Sequence, residues 1–191
     1  MFDNIPIHLT PEIASIGTLI ISIVAYYLEG KTGKASDAAI TLETKLRAML
    51  RKRYGVPTAH VTEVGRGHIK DALSKQTDYN PEDIDLIFSD GTYLAPQESD
   101  MDTIQKVTYL TKFLPYRPER FDCEDFAKAY DVLVAFVLGV NSIGVVYDWS
   151  GGHAYNVIVT SEGKVRFIDP QYKEYSPELE EYSFENATIV F

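Results

Sequence analysis

Residues 120–139, "RFDCEDFAKAYDVLVAFVLG", decide the reading of this chain. They hold the one cysteine of the sequence, Cys123, at the start of a long apolar run and among acidic neighbours. Asp122 is a good N-cap residue, so a helix is expected to begin at the cysteine. Behind it, Phe126, Ala127, Tyr130, Leu133, Val134, Phe136, Val137 and Leu138 leave few polar positions, as in a helix buried against a sheet. A cysteine used only for packing belongs in mid-helix. One in the first turn faces free backbone N–H groups and the positive end of the helix dipole, which favour thiolate.

Outward from this stretch the pattern changes character. On the C-terminal side, residues 142–148, 153–160 and 164–170 alternate as strands, joined by "WSGG" and "SEGK" as hairpin turns. A further strand is expected at the C-terminus. On the N-terminal side the periodicity is helical. Thr10 and Pro11 open an apolar helix over 11–29, and Leu42, Leu46 and Leu50 share one face of a helix over 36–55. "AHVTEV" reads as a short strand, "GRGHIKDALSK" as a short helix, and 80–96 as a loop with a brief strand at 86–88. The run 99–113 reads as a helix capped by Ser99, followed by an extended entry segment with two prolines. Helices followed by an antiparallel meander give the α+β class. The organisation expected is a helical N-terminal region, 1–98, and a core, 99–191.

The bulk numbers restrict partners. The chain has 191 residues and a formal net charge of −10. Residues 76–191 carry eight Lys and Arg against twenty-one Asp and Glu, so the acidity belongs to the C-terminal part. This disfavours nucleic acid and anionic membranes. The uncharged stretch 13–28 spans about 24 Å as a helix, short of a roughly 30 Å hydrocarbon core. It reads as a core helix, or as one that docks a partner through the apolar face of 11–29. A single cysteine and no signal peptide point to a cytoplasmic setting.

A thiolate nucleophile needs a base, and the base an orienter. His153 follows "SGG" at a strand start, and Asp169 ends the next strand, in "FIDPQ". A tight two-residue "SEGK" turn would put these two on opposite faces of the sheet. A three-residue loop, or a bulge near Gly163, would put them on one face, with Asp169 opposite Tyr155. Glu124 and Asp125 oppose a thiolate, and Asp125 is expected to bond Arg117 or Arg120 in the entry segment. A Cys/His/Asp zinc site is chemically possible, but no ligand pair has a familiar spacing.

"DCEDFA", "GGHAYNVIV" and "VRFIDPQ", in that order, resemble the core of transglutaminase-like cysteine peptidases of the papain-like superfamily, bacterial and phage members included. The resemblance covers roughly residues 115–172. It implies a buried helix starting at the cysteine and packed on an antiparallel sheet. It implies Cys123 as nucleophile, His153 as base and acid, and Asp169 as orienter. The reaction would be hydrolysis or acyl transfer at an amide or isopeptide bond of a protein or peptide, through a thioester, with no cofactor and no metal. Tyr116, Gln97 and Tyr93 are candidates for a second oxyanion donor, and Asn156 and Gln171 for lining the site. The alternative is a non-catalytic binding module on the same fold.

Overall fold

The computed structural model describes residues 41, 44–52, 55, 58–76, 84–108, 116–171, 174–176 and 186–191. The apolar helix expected over 11–29 lies outside the described residues. The chain divides into two compact units, Met1–Ala48 and Met49–Phe191. Of the first, residues 41 and 44–48 are described, and they are helical. The helix continues to residue 52 in the second unit.

The second unit is α+β. Its strands are β1 (Val61–Gly65), β2 (Ile84–Ile87), β3 (Thr92–Pro96), β4 (Ile143–Asp148), β5 (His153–Val159), β6 (Val165–Asp169), β7 (Glu174–Ser176) and β8 (Ala187–Val190). Its helices are α1 (Arg66–Gln76), α2 (Met101–Lys106) and α3 (Cys123–Leu138). Six strands form one sheet in the order β2-β8-β4-β5-β6-β7, and β1 pairs with β3 in a separate ribbon. From β4 to β7 the sheet is the expected antiparallel meander. The last strand departs from it: β8 returns beside β4 and runs parallel to β2. Because β2 lies in the main sheet, residues 84–87 belong with the C-terminal unit and not with a separate N-terminal region.

The sheet is buried on both faces. One face carries Tyr155, Val157, Val159, Val165 and Phe167, covered by Ile69, Ala72 and Leu73 of α1. The other carries Ile143, Ile158 and Ile168, covered by Tyr130, Val134, Val137 and Leu138 of α3. The α3 contacts recur at three- and four-residue steps, so a single stripe of the helix is buried. Gly139, with φ 74°, ends α3 and donates its N–H to the Ala135 carbonyl, a left-handed cap that glycine adopts without strain.

Two local readings are corrected. Ser99 does not cap α2; it lies within a 3₁₀ turn, Glu98–Asp100, whose Asp100 carboxylate accepts the backbone N–H of His60 at 2.7 Å. Residues 92–96, read as loop, form β3. Its register on β1, Val61 to Pro96 through Gly65 to Thr92, is a long-range pairing that no local period announces.

Candidate functional site

The β5–β6 turn fixes the site. Val159 pairs with Val165, and the Thr160 N–H donates to the Lys164 carbonyl at 2.9 Å. Three residues remain in the loop, and the last, Gly163, has φ 75°. The register continues through Asn156 opposite Ile168, which sets Asp169 beside Tyr155. Strand alternation then puts His153 and Asp169 on one face. His153 Nε2 lies 2.7 Å from Asp169 Oδ2, with the carboxylate buried and the ring partly exposed. Asp169 Oδ1 accepts the Gln171 backbone N–H at 2.9 Å, which holds the carboxylate still. The hydrogen bond from Asp169 raises the His153 pKa most; burial lowers it, and the charges of Asp169 and Asp148 raise it further.

Cys123 opens α3 as expected, after Asp122 with extended backbone. Asp122 is not a side-chain cap. Its Oδ2 accepts the Glu119 N–H at 3.2 Å instead, while Oδ1 is buried without a hydrogen bond. The thiol lies 3.7 Å from a Glu124 carboxylate oxygen and beside the backbone N–H of Ala154. Burial pushes the thiol pKa up, Glu124 and Asp122 add to this by their charge, and the N–H groups of Ala154 and Glu124 only oppose it. Among the described residues no hydrogen bond joins the sulfur to His153. The reason is parity. Asn156 and Ile158 face α3, whereas His153 shares the face of Tyr155, on the other side of the sheet.

The remaining candidates separate. Asn156 is fully buried, and its Nδ2 donates to the Ala127 carbonyl at 3.0 Å and the Gly144 carbonyl at 3.3 Å. It ties α3 to the sheet. Gln171 adjoins Asp169 through its backbone. Tyr116 is exposed at the start of the entry turn. Gln97 lies next to Pro96, whose carbonyl accepts the Ser161 N–H, at the opposite end of β5 from His153. Tyr93 is a core residue, its hydroxyl accepting the Asp90 N–H. Asp125 pairs with Lys128 at 3.8 Å and not with Arg117 or Arg120. Asp122, Cys123 and Glu124 offer ligand atoms within 4.8 Å of one another, but His153 and Asp169 are not of that group.

Sequence reasoning missed one feature of this end of the sheet. Trp149, the one tryptophan of the chain, stands in the β4–β5 turn with 60% of its surface exposed. Its Nε1–H donates to Thr188 Oγ1 at 3.1 Å, and its ring stacks on Tyr147 at 5.9 Å and 14°. Lys128 of α3 sets its ammonium 5.9 Å from the Tyr147 ring centre. The signal was a tryptophan beside "SGG" in a turn, where packing has no use for a large ring.

No family model matches the chain, and no curated protein matches it in sequence. Solved structures do. The chain is similar to PSL1a in a complex with E64, at 25% identity and a TM-score of 0.53, over 68% of this chain and 51% of that one. It is also similar to the Polyporus squamosus lectin bound to the human-type influenza-binding epitope Neu5Acα2-6Galβ1-4GlcNAc. That match has 23% identity and a TM-score of 0.51, over 68% of this chain and 49% of the lectin. The chain thus spans about half the length of the solved chains it matches. These neighbours overturn the resemblance to transglutaminase-like cysteine peptidases. With it goes the cysteine hydrolase or acyltransferase acting on protein or peptide. The separation of the Cys123 thiol from the His153 ring, with no hydrogen bond between them among the described residues, agrees with that correction. Among the described residues no helix is long and apolar enough to cross a membrane.

Proposed function

We propose that residues 49–191 form a non-catalytic carbohydrate-binding domain. The ligand is seated where the start of α3 and the β4–β5 turn meet. The observation that carries this reading is Trp149, exposed yet pinned through its indole N–H and stacked on Tyr147. A rigid aromatic face open to solvent suits the apolar C–H face of a pyranose ring, which loses water on stacking and costs little side-chain entropy. Fixed polar groups that can meet hydroxyls stand at the same end of the sheet and on the α3 side: the Asp122 and Glu124 carboxylates. Likeness to a chain crystallised as a lectin supports the reading.

The single tryptophan supplies the test. Titrating the full chain with Neu5Acα2-6Galβ1-4GlcNAc, and with Galβ1-4GlcNAc, should give a saturable change in Trp149 fluorescence. Trp149→Ala should weaken binding, measured by calorimetry, at least tenfold, as expected when about 1.4 kcal/mol or more of stacking and burial is lost. A wild-type protein that binds neither these sugars nor any of a broad glycan panel overturns the reading.

A further inference from the structure

The turn that presents Trp149 is built by a carboxylate on the other side of the sheet. Asp148 ends β4, pairs in register with His153 and with Ala187, and shares its face with Val146, the face covered by α1. The Asp148 side chain is buried. Its Oδ1 accepts the Ser150 hydroxyl at 2.6 Å and the Gly151 N–H at 2.9 Å, so one side chain closes the turn over the residues that follow it. The fit is close at Gly151, where a Cβ would lie 2.5 Å from Asp148 Oδ2. Gly152, with φ 63°, then leads the chain into β5.

Trp149 itself is held from β8. Its backbone N–H donates to the Asn186 carbonyl at 2.9 Å, and its indole N–H to Thr188 Oγ1 at 3.1 Å. Thr188 pairs in register with Tyr147, the residue on which the indole stacks. Ala187 and Ile189 belong to the core under α1, so strand alternation turns Thr188 to the α3 side. The tryptophan is thus fixed at its backbone, at its ring nitrogen and by one ring contact, while most of its surface stays exposed. A large surface side chain without such bonds loses rotamer freedom when a ligand stacks on it. Here the order exists before a ligand arrives.

From these bonds we infer that Asp148 and Thr188 are the positioning residues of the sugar site. Asp148 shapes the turn, and Thr188 fixes the plane of the indole. Asp148 is buried on the α1 side of the sheet and acts through the turn alone. This inference rests on the carbohydrate-binding reading and adds to it the groups that order Trp149 in advance of the ligand.

The test uses the full chain and reads its single tryptophan. In the sugar-free protein, Thr188→Val, Asp148→Ala and Ser150→Ala should each increase the fast motion of the Trp149 ring in time-resolved fluorescence anisotropy. The same variants should bind Galβ1-4GlcNAc and its sialylated form about two- to tenfold more weakly by calorimetry, the scale of ordering one large side chain on binding. Thr188→Ser and Asp148→Asn keep the accepting oxygen and should leave both readouts near wild type. Valine keeps the volume of Thr188 and serine does not, so packing alone predicts the reverse order. Ser150→Ala probes the Asp148 bond from its exposed end and decides the point if Asp148→Ala does not fold. Wild-type ring motion in Thr188→Val and Ser150→Ala, or a mobile ring with unaltered sugar affinity, overturns this inference and leaves the carbohydrate reading standing. Failure of the wild type to bind either sugar or any of a wider glycan panel overturns both.

Discussion

At the scale of single residues, environment decides what a side chain does. Cys123 sits where the helix dipole favours thiolate, but burial and the Glu124 and Asp122 charges outweigh it. His153 is the opposite case, a cation stabilised by Asp169. Its folded pKa is raised, so its contribution to stability is complete below the unfolded value of about 6.5 and is lost as pH rises through the folded value. Asp169→Asn should lower the His153 pKa followed by NMR and flatten the fall of Tm above about pH 6.5. An unchanged His153 titration would contradict this pairing. Asp131 on α3 behaves differently again. Burial alone raises its pKa to about 6. Its carboxylate destabilises the fold increasingly from about pH 4 to 6 and fully above. Two pH units correspond to roughly 3 kcal/mol, and partial exposure reduces this. Asp131→Asn should therefore stabilise the protein by about 1–2 kcal/mol at pH 7, and by nothing below about pH 4. Denaturant unfolding at the two pH values checks it; equal stability of the two proteins at pH 7 would refute it. The His153–Asp169 pair was legible in the sequence because strand parity and the length of one turn determine it. The same parity takes both residues off the α3 face, and this the motif order "DCEDFA…GGHAY…FIDP" does not reveal.

At the scale of elements, local signals located most of the helices and strands. Apolar runs bounded by the turns "WSGG" and "SEGK" marked β4, β5 and β6, and an N-cap followed by an apolar stripe marked α3. Pairings between distant segments were not visible. β3 follows Gly91 and ends at Pro96, within a stretch that reads as loop, and it becomes a strand through β1. β8 inserts between β2 and β4 because Ala187 and Ile189 complete the core on the Tyr155 face. Gly144 is the point of closest approach in that insertion. A Cβ there would lie 3.0 Å from Ile189 Cγ2 and 3.2 Å from the Phe191 ring. Gly144→Ala should cost about 1–3 kcal/mol by overpacking the β4–β8 contact, read as a lower unfolding midpoint. Gly139→Ala should cost about 1–2 kcal/mol for a different reason, the left-handed cap of α3. If both variants were as stable as wild type, these two contacts would not hold the sheet and helix as described.

At the scale of the molecule, the C-terminal unit is a sheet covered on both faces, with its polar and aromatic groups gathered at one end. The start of α3 reaches that end through the contact of Cys123 with Ala154, and the Trp149 turn stands at the same end. α+β architecture was readable from the order of elements, but function was not. A lone cysteine before an apolar helix, with His and Asp on later strands, is compatible with catalysis and with binding alike, because fold does not determine activity. The difference lies in the charge state of one sulfur. The most direct measurement is the rate of iodoacetamide alkylation of Cys123 against pH, in wild type and in His153→Ala. A binding domain with a buried, carboxylate-flanked thiol should give an apparent pKa above the ordinary value of about 8.5, unaltered by loss of the imidazole. An apparent pKa well below that value, rising when His153 is removed, would contradict the account and restore a nucleophile to the start of α3.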